Sequence, residues 1–168
     1  MSSRPLPLEE LAKLLPAKAR LIGVDLGTKT IGLALSDVER RIGTPLVTLE
    51  RKKFTADAQA LIGQIEKFEA FALIVGLPLN MDGSEGPRVQ ATRAFLRNFS
   101  RLSATPFALW DERLSTAAVN RSLIEQDVSR ARRAAVVDRM AAAYILQGAL
   151  DRLASIGAQN SSSGAARP

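Results

Sequence analysis

Cysteine and histidine are both absent from this chain of 168 residues. Without cysteine there is no disulfide, no thiolate-bound metal and no cysteine nucleophile, and without histidine there is no imidazole base or imidazole metal ligand. Any chemistry must therefore use carboxylates or the side chains of Lys, Ser, Thr and Tyr. Because carboxylates prefer hard cations, a bound metal would be Mg²⁺ or Mn²⁺.

Long hydrophobic runs are also missing. Residues 1–20 contain no continuous apolar segment of the kind found in signal peptides, and no run approaches the length that spans a membrane. We therefore expect a cytoplasmic protein with no membrane partner. The length, together with a hydrophobic content of 46%, suits one domain with a substantial core.

Positive charge is in excess, with 23 Lys and Arg against 17 Asp and Glu, for a net charge of +6. This balance favours a polyanionic partner such as nucleic acid, although mild basicity also serves solubility alone. Arg93, Arg97 and Arg101 recur every four residues and predict a basic stripe along one helix. The stripe is either a solvated face or a surface that binds phosphates.

Hydrophobic periodicity predicts an α/β fold with the element order β-β-β-α-β-α-β-α-α. The first three strands form an antiparallel meander, and the helix that follows leads by a crossover into two parallel strands. The result is a five-stranded mixed sheet flanked by helices. The predicted elements are a hairpin over 21–36, strands over 41–49, 71–77 and 105–110, and helices over 55–68, 87–102, from 115 or 116 to 126, and from about 130 to 154.

The composition changes at both ends of the chain. Residues 1–18 contain three prolines around one short amphipathic turn and predict an extension that packs on the surface. Residues 155–168 are rich in Gly, Ser, Ala and Asn, which predicts a disordered tail. The domain itself is expected over 19–154.

Asp25 interrupts the first strand of the hairpin, where a lone charge is unexpected. Burying an ionised carboxylate costs several kcal/mol unless something compensates the charge. A bound cation is the simplest compensation. Hydrogen bonds from the turn that follows Asp25 are the structural alternative.

Two other segments supply carboxylates. Asp111 and Glu112 follow the fifth strand, at the end where parallel strands present ligand sites. Since successive side chains point to opposite faces, only one of the two is expected at the site, and we choose Glu112 with Asp111 in reserve. Asp138 lies on a helix face of small apolar residues, where Asp rarely occurs unless it is paired. Ion pairs with neighbouring arginines are the structural alternative for both segments.

Together Asp25, Glu112 and Asp138 predict a site for one or two Mg²⁺ or Mn²⁺ ions. Such clusters activate a water molecule and stabilise the leaving oxygen during phosphodiester hydrolysis. The surplus of arginine fits a substrate of this kind.

Four motifs, in order, resemble the YqgF/RuvX family over residues 21–150. They are residues 24–32 (VDLGTKTIG), 75–85 (VGLPLNMDGSE), 111–116 (DERLST), and 137–138 (VD) followed by 141–147 (AAAYILQ). The resemblance implies an RNase H-like fold related to the RuvC resolvase. It also implies one of two activities, because members are described as Holliday junction resolvases and as nucleases that mature the 5′ end of precursor 16S ribosomal RNA.

By resemblance, the catalytic acids and metal ligands are Asp25, Glu112 and Asp138. The loop over 76–80 and Asp82 would line the site. In one respect the chain departs from the family, since Ala and Val occupy 134–137 where members often carry lysines. The residues expected to contact substrate are Lys29, Asn80, Arg93, Arg97, Arg113, Arg130, Arg132 and Arg133.

The leading prediction is a metal-dependent endonuclease acting on precursor 16S ribosomal RNA. The alternative is a Holliday junction resolvase acting on branched DNA, which would require a symmetric dimer, so either a monomer or a homodimer is expected. A non-catalytic nucleic-acid-binding factor is a further alternative. A small-molecule phosphotransferase is a weaker one, because residues 25–29 look like the phosphate loop of actin-like ATPases, but the second hairpin of that kind is missing.

Overall fold

The computed structural model describes residues 4–114 and 130–164, with the backbone alone for 130–138 and 163–164. A short 3₁₀ helix over Glu112–Leu114 follows the last strand. The helices and strands are α1 (Leu8–Leu14), β1 (Arg20–Leu26), β2 (Thr30–Ser36), β3 (Gly43–Glu50), α2 (Phe54–Phe68), β4 (Ala70–Leu77), α3 (Pro87–Phe99), β5 (Phe107–Asp111) and α4 (Arg130–Gly164).

The five strands form one sheet in the order β3-β2-β1-β4-β5. Strands β1, β2 and β3 pair antiparallel, and β4 pairs parallel with both β1 and β5. The predicted meander with two further parallel strands is therefore confirmed. The prediction of an edge or a bend at Pro45 is confirmed as well, because this residue lies on the edge strand β3 where the register with β2 shifts.

Helices cover both faces of the sheet. Side chains that alternate along each strand divide the core in two, because successive residues point to opposite faces. On one face Ile22, Val24 and Val75 pack against α2 and α3. On the other face Leu21 and Ile74 pack against α1 and α4.

Helix α4 lies unusually close to the sheet at Gly23. A Cβ at this position would stand 2.7 Å from the carbonyl oxygen of Ala142 and 2.7 Å from Cβ of Leu146. Gln147 accepts a hydrogen bond from the Gly43 amide (2.9 Å) and donates one to the carbonyl of Arg41, at the end of the sheet where β1 begins. The helix therefore runs opposite to β1, and its earlier turns approach the end of β1.

The two ends of the chain complete the fold. In the N-terminal extension the short amphipathic turn forms α1, which packs on the domain and buries Leu11 against α4. The composition predicts a disordered tail from 155, but α4 continues to Gly164 and buries Ile156. Extending an existing helix costs far less than starting one, so a Ser- and Gly-rich sequence continues a helix that packing already holds.

The predicted helix over 115–126 lies outside the described residues. Among the described helices, none is both long and apolar enough to cross a membrane.

Candidate active site

Asp25 is the penultimate residue of β1 and is only 1% exposed. It points to the same face as Leu21, toward the α4 layer, since Ile22 and Val24 point the other way. In the register with β2 it lies opposite Gly32, which has no side chain to fill the space above the sheet. The carboxylate is thus buried at the end of a central strand, as the sequence predicts.

Glu112 approaches the same face from β5. Its Oε1 atom is buried and lies 2.7 Å from where a Cβ would stand on Gly76. Gly76 follows Val75, the partner of Val24, so in the same register it lies beside Asp25 on the adjacent strand. The structure therefore places Asp25 and Glu112 around the glycine at the end of β4, on the α4 side of the sheet.

Asp111 is engaged elsewhere. In the β4–β5 register it pairs with Leu77, which points its side chain away from the α4 face. Its carboxylate forms a two-pronged ion pair with Arg113, with Nη2 at 2.7 Å and Nε at 3.1 Å. These hydrogen bonds hold the pKa of Asp111 below its ordinary value and raise the pKa of Arg113. The same guanidinium donates through Nη1 to the carbonyl of Met81 (3.2 Å).

The loop between β4 and α3 is stabilised by its own hydrogen bonds. Asn80 donates to the hydroxyl of Ser84 (2.9 Å), and that hydroxyl donates to Asp82 (2.6 Å). The hydrogen bonds from the hydroxyl and the amide of Ser84 keep the pKa of Asp82 low. Gly83 adopts a φ of 88°, which favours glycine. The loop therefore presents an ordered backbone and an exposed Asn80 at the carboxyl end of β4.

Asp138 is part of the α4 backbone, one helical turn before Ala142. Because Ala142 contacts Gly23 and the helix runs opposite to β1, this turn lies toward the end of β1 that carries Asp25. The side chains of Asp138, Arg130, Arg132 and Arg133 lie outside the described part of the structure. Among the side chains that are described, no group of three acidic residues could hold a metal ion.

The oxygen atoms of Asp25 and Glu112 are nevertheless the donors that Mg²⁺ and Mn²⁺ prefer. A buried carboxylate and a second carboxylate with a buried oxygen, on one face of the sheet, fit a divalent cation, because a cation would compensate charges that are costly to bury.

The remaining residues that are predicted to contact the substrate, and whose side chains are described, fall into two groups. Lys29 is exposed in the β1–β2 turn, near the end of the strand that carries Asp25. Arg93 and Arg97 lie on α3, which covers the opposite face of the sheet from α4. Arg93 is also ion-paired with Glu85, with 3.0 Å between Nε and Oε1. The structure therefore does not bring Arg93 and Arg97 to the face that carries the acids.

Arg51 supports the turn after Asp25, a role that sequence reasoning missed because residues 51–53 have the composition of a solvated basic loop. Its Nη1 donates to the carbonyl of Gly27 (2.9 Å), and its Nε lies 3.4 Å from Oδ2 of Asp57. The guanidinium also lies 5.7 Å from the centre of the Phe95 ring. Arg51 therefore links the turn to α2 and α3.

We expect Asp57→Ala to destabilise the protein by about 2 kcal/mol, measured by urea unfolding. Asp57 is 3% exposed, and removing it leaves Arg51 without its anion and the Lys52 amide without an acceptor. The effect should fall below the roughly 3–5 kcal/mol of fully buried pairs, because Arg51 retains access to water. Glu66→Ala, on the exposed side of the same helix, is the control and should change stability by less than about 0.5 kcal/mol.

The Asp111–Arg113 pair makes stability depend on pH. Since the pKa of Asp111 is lowered in the folded protein, the pair stabilises the fold fully above the ordinary value of 3.8, and this contribution is lost as the pH falls from there through the lower pKa of the folded state. Arg113→Gln should destabilise the protein at neutral pH, and this loss of stability should shrink as the pH falls through the lowered pKa of Asp111. Urea unfolding of the wild-type protein and of Arg113→Gln, at neutral and at acidic pH, measures the difference. An equal loss of stability at the two pH values would contradict the assignment of the ion pair.

Comparison with known proteins assigns the chain to a family. A protein from Beijerinckia indica is 66% identical and one from Methylocella silvestris 67%, with alignments covering 92% and 93% of this chain and 93% and 97% of theirs. Both carry the name "Putative pre-16S rRNA nuclease". A solved structure of RuvC from T. thermophilus, in complex with a Holliday junction substrate, superposes with a TM-score of 0.50 at 12% identity.

The superposition covers 79% of this chain and 93% of the RuvC chain, and it confirms the RNase H-like, RuvC-like fold. Residues 19–152 match the model of a family described as RuvX, Holliday junction resolvase. The match spans the sheet, the acids of β1 and of the segment after β5, and most of α4. The chain belongs to the RuvX family.

Proposed function

We propose that this chain is a divalent-metal-dependent endonuclease that cuts precursor 16S ribosomal RNA during maturation of its 5′ end. The observation that carries the proposal is the convergence of the buried Asp25 and the buried Oε1 atom of Glu112 on one face of the sheet. The names of the relatives from B. indica and M. silvestris support the choice of substrate. Processing of ribosomal RNA would place the protein in the cytoplasm.

Asp25 and Glu112 would hold the metal, with Asp138 as the third acid from α4. When bound, Mg²⁺ or Mn²⁺ supplies an activated water molecule and stabilises the leaving oxygen of the phosphodiester. The chain itself would position these acids around the metal. Gly76 leaves the space beside Glu112 open, since a Cβ there would stand 2.7 Å from Oε1.

The surroundings of the acids would position the RNA. The ordered loop between β4 and α3 directs Asn80 outward at the end of β4, within the region where a phosphate group could accept its amide hydrogen. Lys29 adds a positive charge at the end of β1. Contacts of this kind orient the backbone of the substrate and carry no sequence information.

Cleavage of branched DNA is the second candidate, because the family description names Holliday junction resolution. Junction cleavage needs two coordinated cuts and hence a symmetric dimer, whereas trimming of an RNA end needs a single subunit. The oligomeric state during catalysis therefore separates the two candidates.

The test compares both substrates side by side. Purified protein is incubated with end-labelled precursor 16S RNA and with a four-way DNA junction, each with Mn²⁺, with Mg²⁺ or with EDTA. We expect metal-dependent cleavage of the RNA at a defined site, and none in EDTA. Cleavage of the junction alone by a dimer would favour the second candidate, and inertness on both substrates with either metal would refute the nuclease proposal.

A further inference from the structure

A second charged groove lies on the other face of the sheet from the acids. It is a cavity of about 430 Å³ between α3, the edge strand β5 and the N-terminal segment. Its described lining contains four arginines and no carboxylate. The lining residues are Arg4, Pro5, Arg93, Leu96, Arg97, Ser100, Arg101, Phe107 and Leu109.

The N-terminal segment forms one wall of this groove. The amide of Leu6 donates to the carbonyl of Phe107 (2.9 Å), which attaches the segment to the free edge of β5. This hydrogen bond holds Arg4 and Pro5 opposite the arginines of α3. The groove is therefore built from elements far apart in sequence and could not be found from the pattern of α3 alone.

The arginines differ in how much charge they offer. Arg93 is ion-paired with Glu85, so its charge is largely compensated. Arg97, in the last turn of α3, and Arg101, in the turn that follows the helix, are both exposed. Arg4 lines the same groove from the N-terminal segment. A group of cations of this kind suits the phosphates of a nucleic-acid strand.

The floor of the groove is apolar. Its accessible apolar surface comes from Pro5 and Leu109, because Leu96 and Phe107 are only 3% and 2% exposed. A duplex keeps its bases stacked inside and would present only phosphates to such a surface, whereas an unpaired base can leave the stack and lie on it. The combination of an arginine rim and an apolar floor thus favours a single strand over a duplex.

We propose that this groove binds a single-stranded segment of the RNA substrate next to the site of cleavage. The inference rests on the proposed function for the identity of the RNA. From Leu109 the chain needs three residues, roughly 10 Å, to reach Glu112 at the end of β5. A strand that leaves the groove would pass this edge of the sheet on its way to the acids.

The test measures binding without cleavage, so that it is independent of catalysis. A fluorescent single-stranded RNA of twelve nucleotides is titrated with protein in EDTA at several salt concentrations, and anisotropy gives the affinity. The variant is Arg97→Gln/Arg101→Gln. The matched control is Arg41→Gln/Arg152→Gln, which removes the same charge from the α4 side of the sheet, where each arginine contacts an acidic residue.

We expect the groove variant to weaken binding at least tenfold and to reduce the slope of log affinity against log salt by about 1.4, since each lost phosphate contact on a single strand contributes about 0.7. The control variant and the binding of duplex RNA should change less than threefold. All four substituted arginines are largely exposed, so the melting temperature should report intact folding in both variants.

Three results would overturn the proposal. Equal losses in the two variants would mean that the arginines act only through net charge. An equal loss of duplex binding would mean that the groove accepts no unpaired base. A change in oligomeric state of the groove variant, with RNA affinity unchanged, would mean that a second copy of the chain occupies the groove. None of these results bears on whether the acids cut RNA, which the cleavage assay decides separately.

Discussion

Asparagine in place of Asp25 is expected to lower cleavage of precursor 16S RNA at least about 100-fold. Asp25 is 1% exposed and lies beside Glu112 around Gly76. Asparagine keeps the shape of the side chain but removes the negative charge that would hold a cation. A bound metal supplies several kcal/mol of transition-state stabilisation, and each 1.36 kcal/mol is tenfold in rate.

The measurement combines initial rates with melting temperatures. Mn²⁺ should raise the melting temperature of the wild-type protein, since a ligand that binds only the folded state stabilises it, and should leave Asp25→Asn unchanged. Asp111→Asn is the matched control. Its carboxylate is committed to Arg113 on the other face, so this variant should retain activity within about tenfold and respond to the metal.

Two outcomes would contradict the assignment. If Asp25 only accepts hydrogen bonds from the adjacent turn, then Asp25→Asn should lower the melting temperature in EDTA while cleavage and the effect of the metal persist. If Asp111 rather than Glu112 shares the site with Asp25, then Asp111→Asn should be as inactive as Asp25→Asn.

Gly23→Ala is expected to destabilise the protein by about 3 kcal/mol, the largest effect that we expect from a single methyl group in this fold. The new Cβ would stand 2.7 Å from both the carbonyl oxygen of Ala142 and Cβ of Leu146. Neither atom can rotate away, because one belongs to the backbone and the other is fixed to it. Overpacking of this kind costs about 1–3 kcal/mol, and contact with rigid atoms places this substitution at the upper end.

Gly63→Ala provides the matched control for this substitution. Gly63 lies in α2 with no other atom within 4 Å of a new Cβ. Alanine should therefore stabilise the helix by up to about 1 kcal/mol, because glycine is the poorer helix former. Urea unfolding measures both variants, and a Gly23→Ala protein as stable as the wild type would show that α4 leaves room for a methyl group above β1.

Displacement of α4 should also affect the site. The turn that carries Asp138 precedes Ala142 on the same helix. A helix lifted from Gly23 would move this turn away from the end of β1, so we expect Gly23→Ala to lose cleavage activity even where it remains folded. Productive sites tolerate only small displacements of their groups.

The local order of the chain is determined by its sequence alone. Alternation and apolar runs predict the hairpin with Asp25 in a buried strand, the meander and the two parallel strands, and Pro87 marks the first residue of α3. These features depend on neighbours within a few residues, because strand and helix periods are local properties of the backbone. The absence of cysteine and histidine likewise limits the chemistry of the site, because a side chain that the sequence lacks cannot be supplied by any fold.

The tertiary structure decides which groups meet. The register of β4 with β5 turns Asp111 toward Arg113 and brings Glu112 to Gly76, and the packing of α3 on the opposite face separates Arg97 from the acids. The hydrogen bond from Leu6 to Phe107 brings Arg4 to the groove lined by the arginines of α3, and packing on the other face extends α4 past the start of the predicted tail. Such contacts join residues that are far apart in sequence. Their free energy depends on the distances between the sheet and the helices packed on it, which no local pattern encodes.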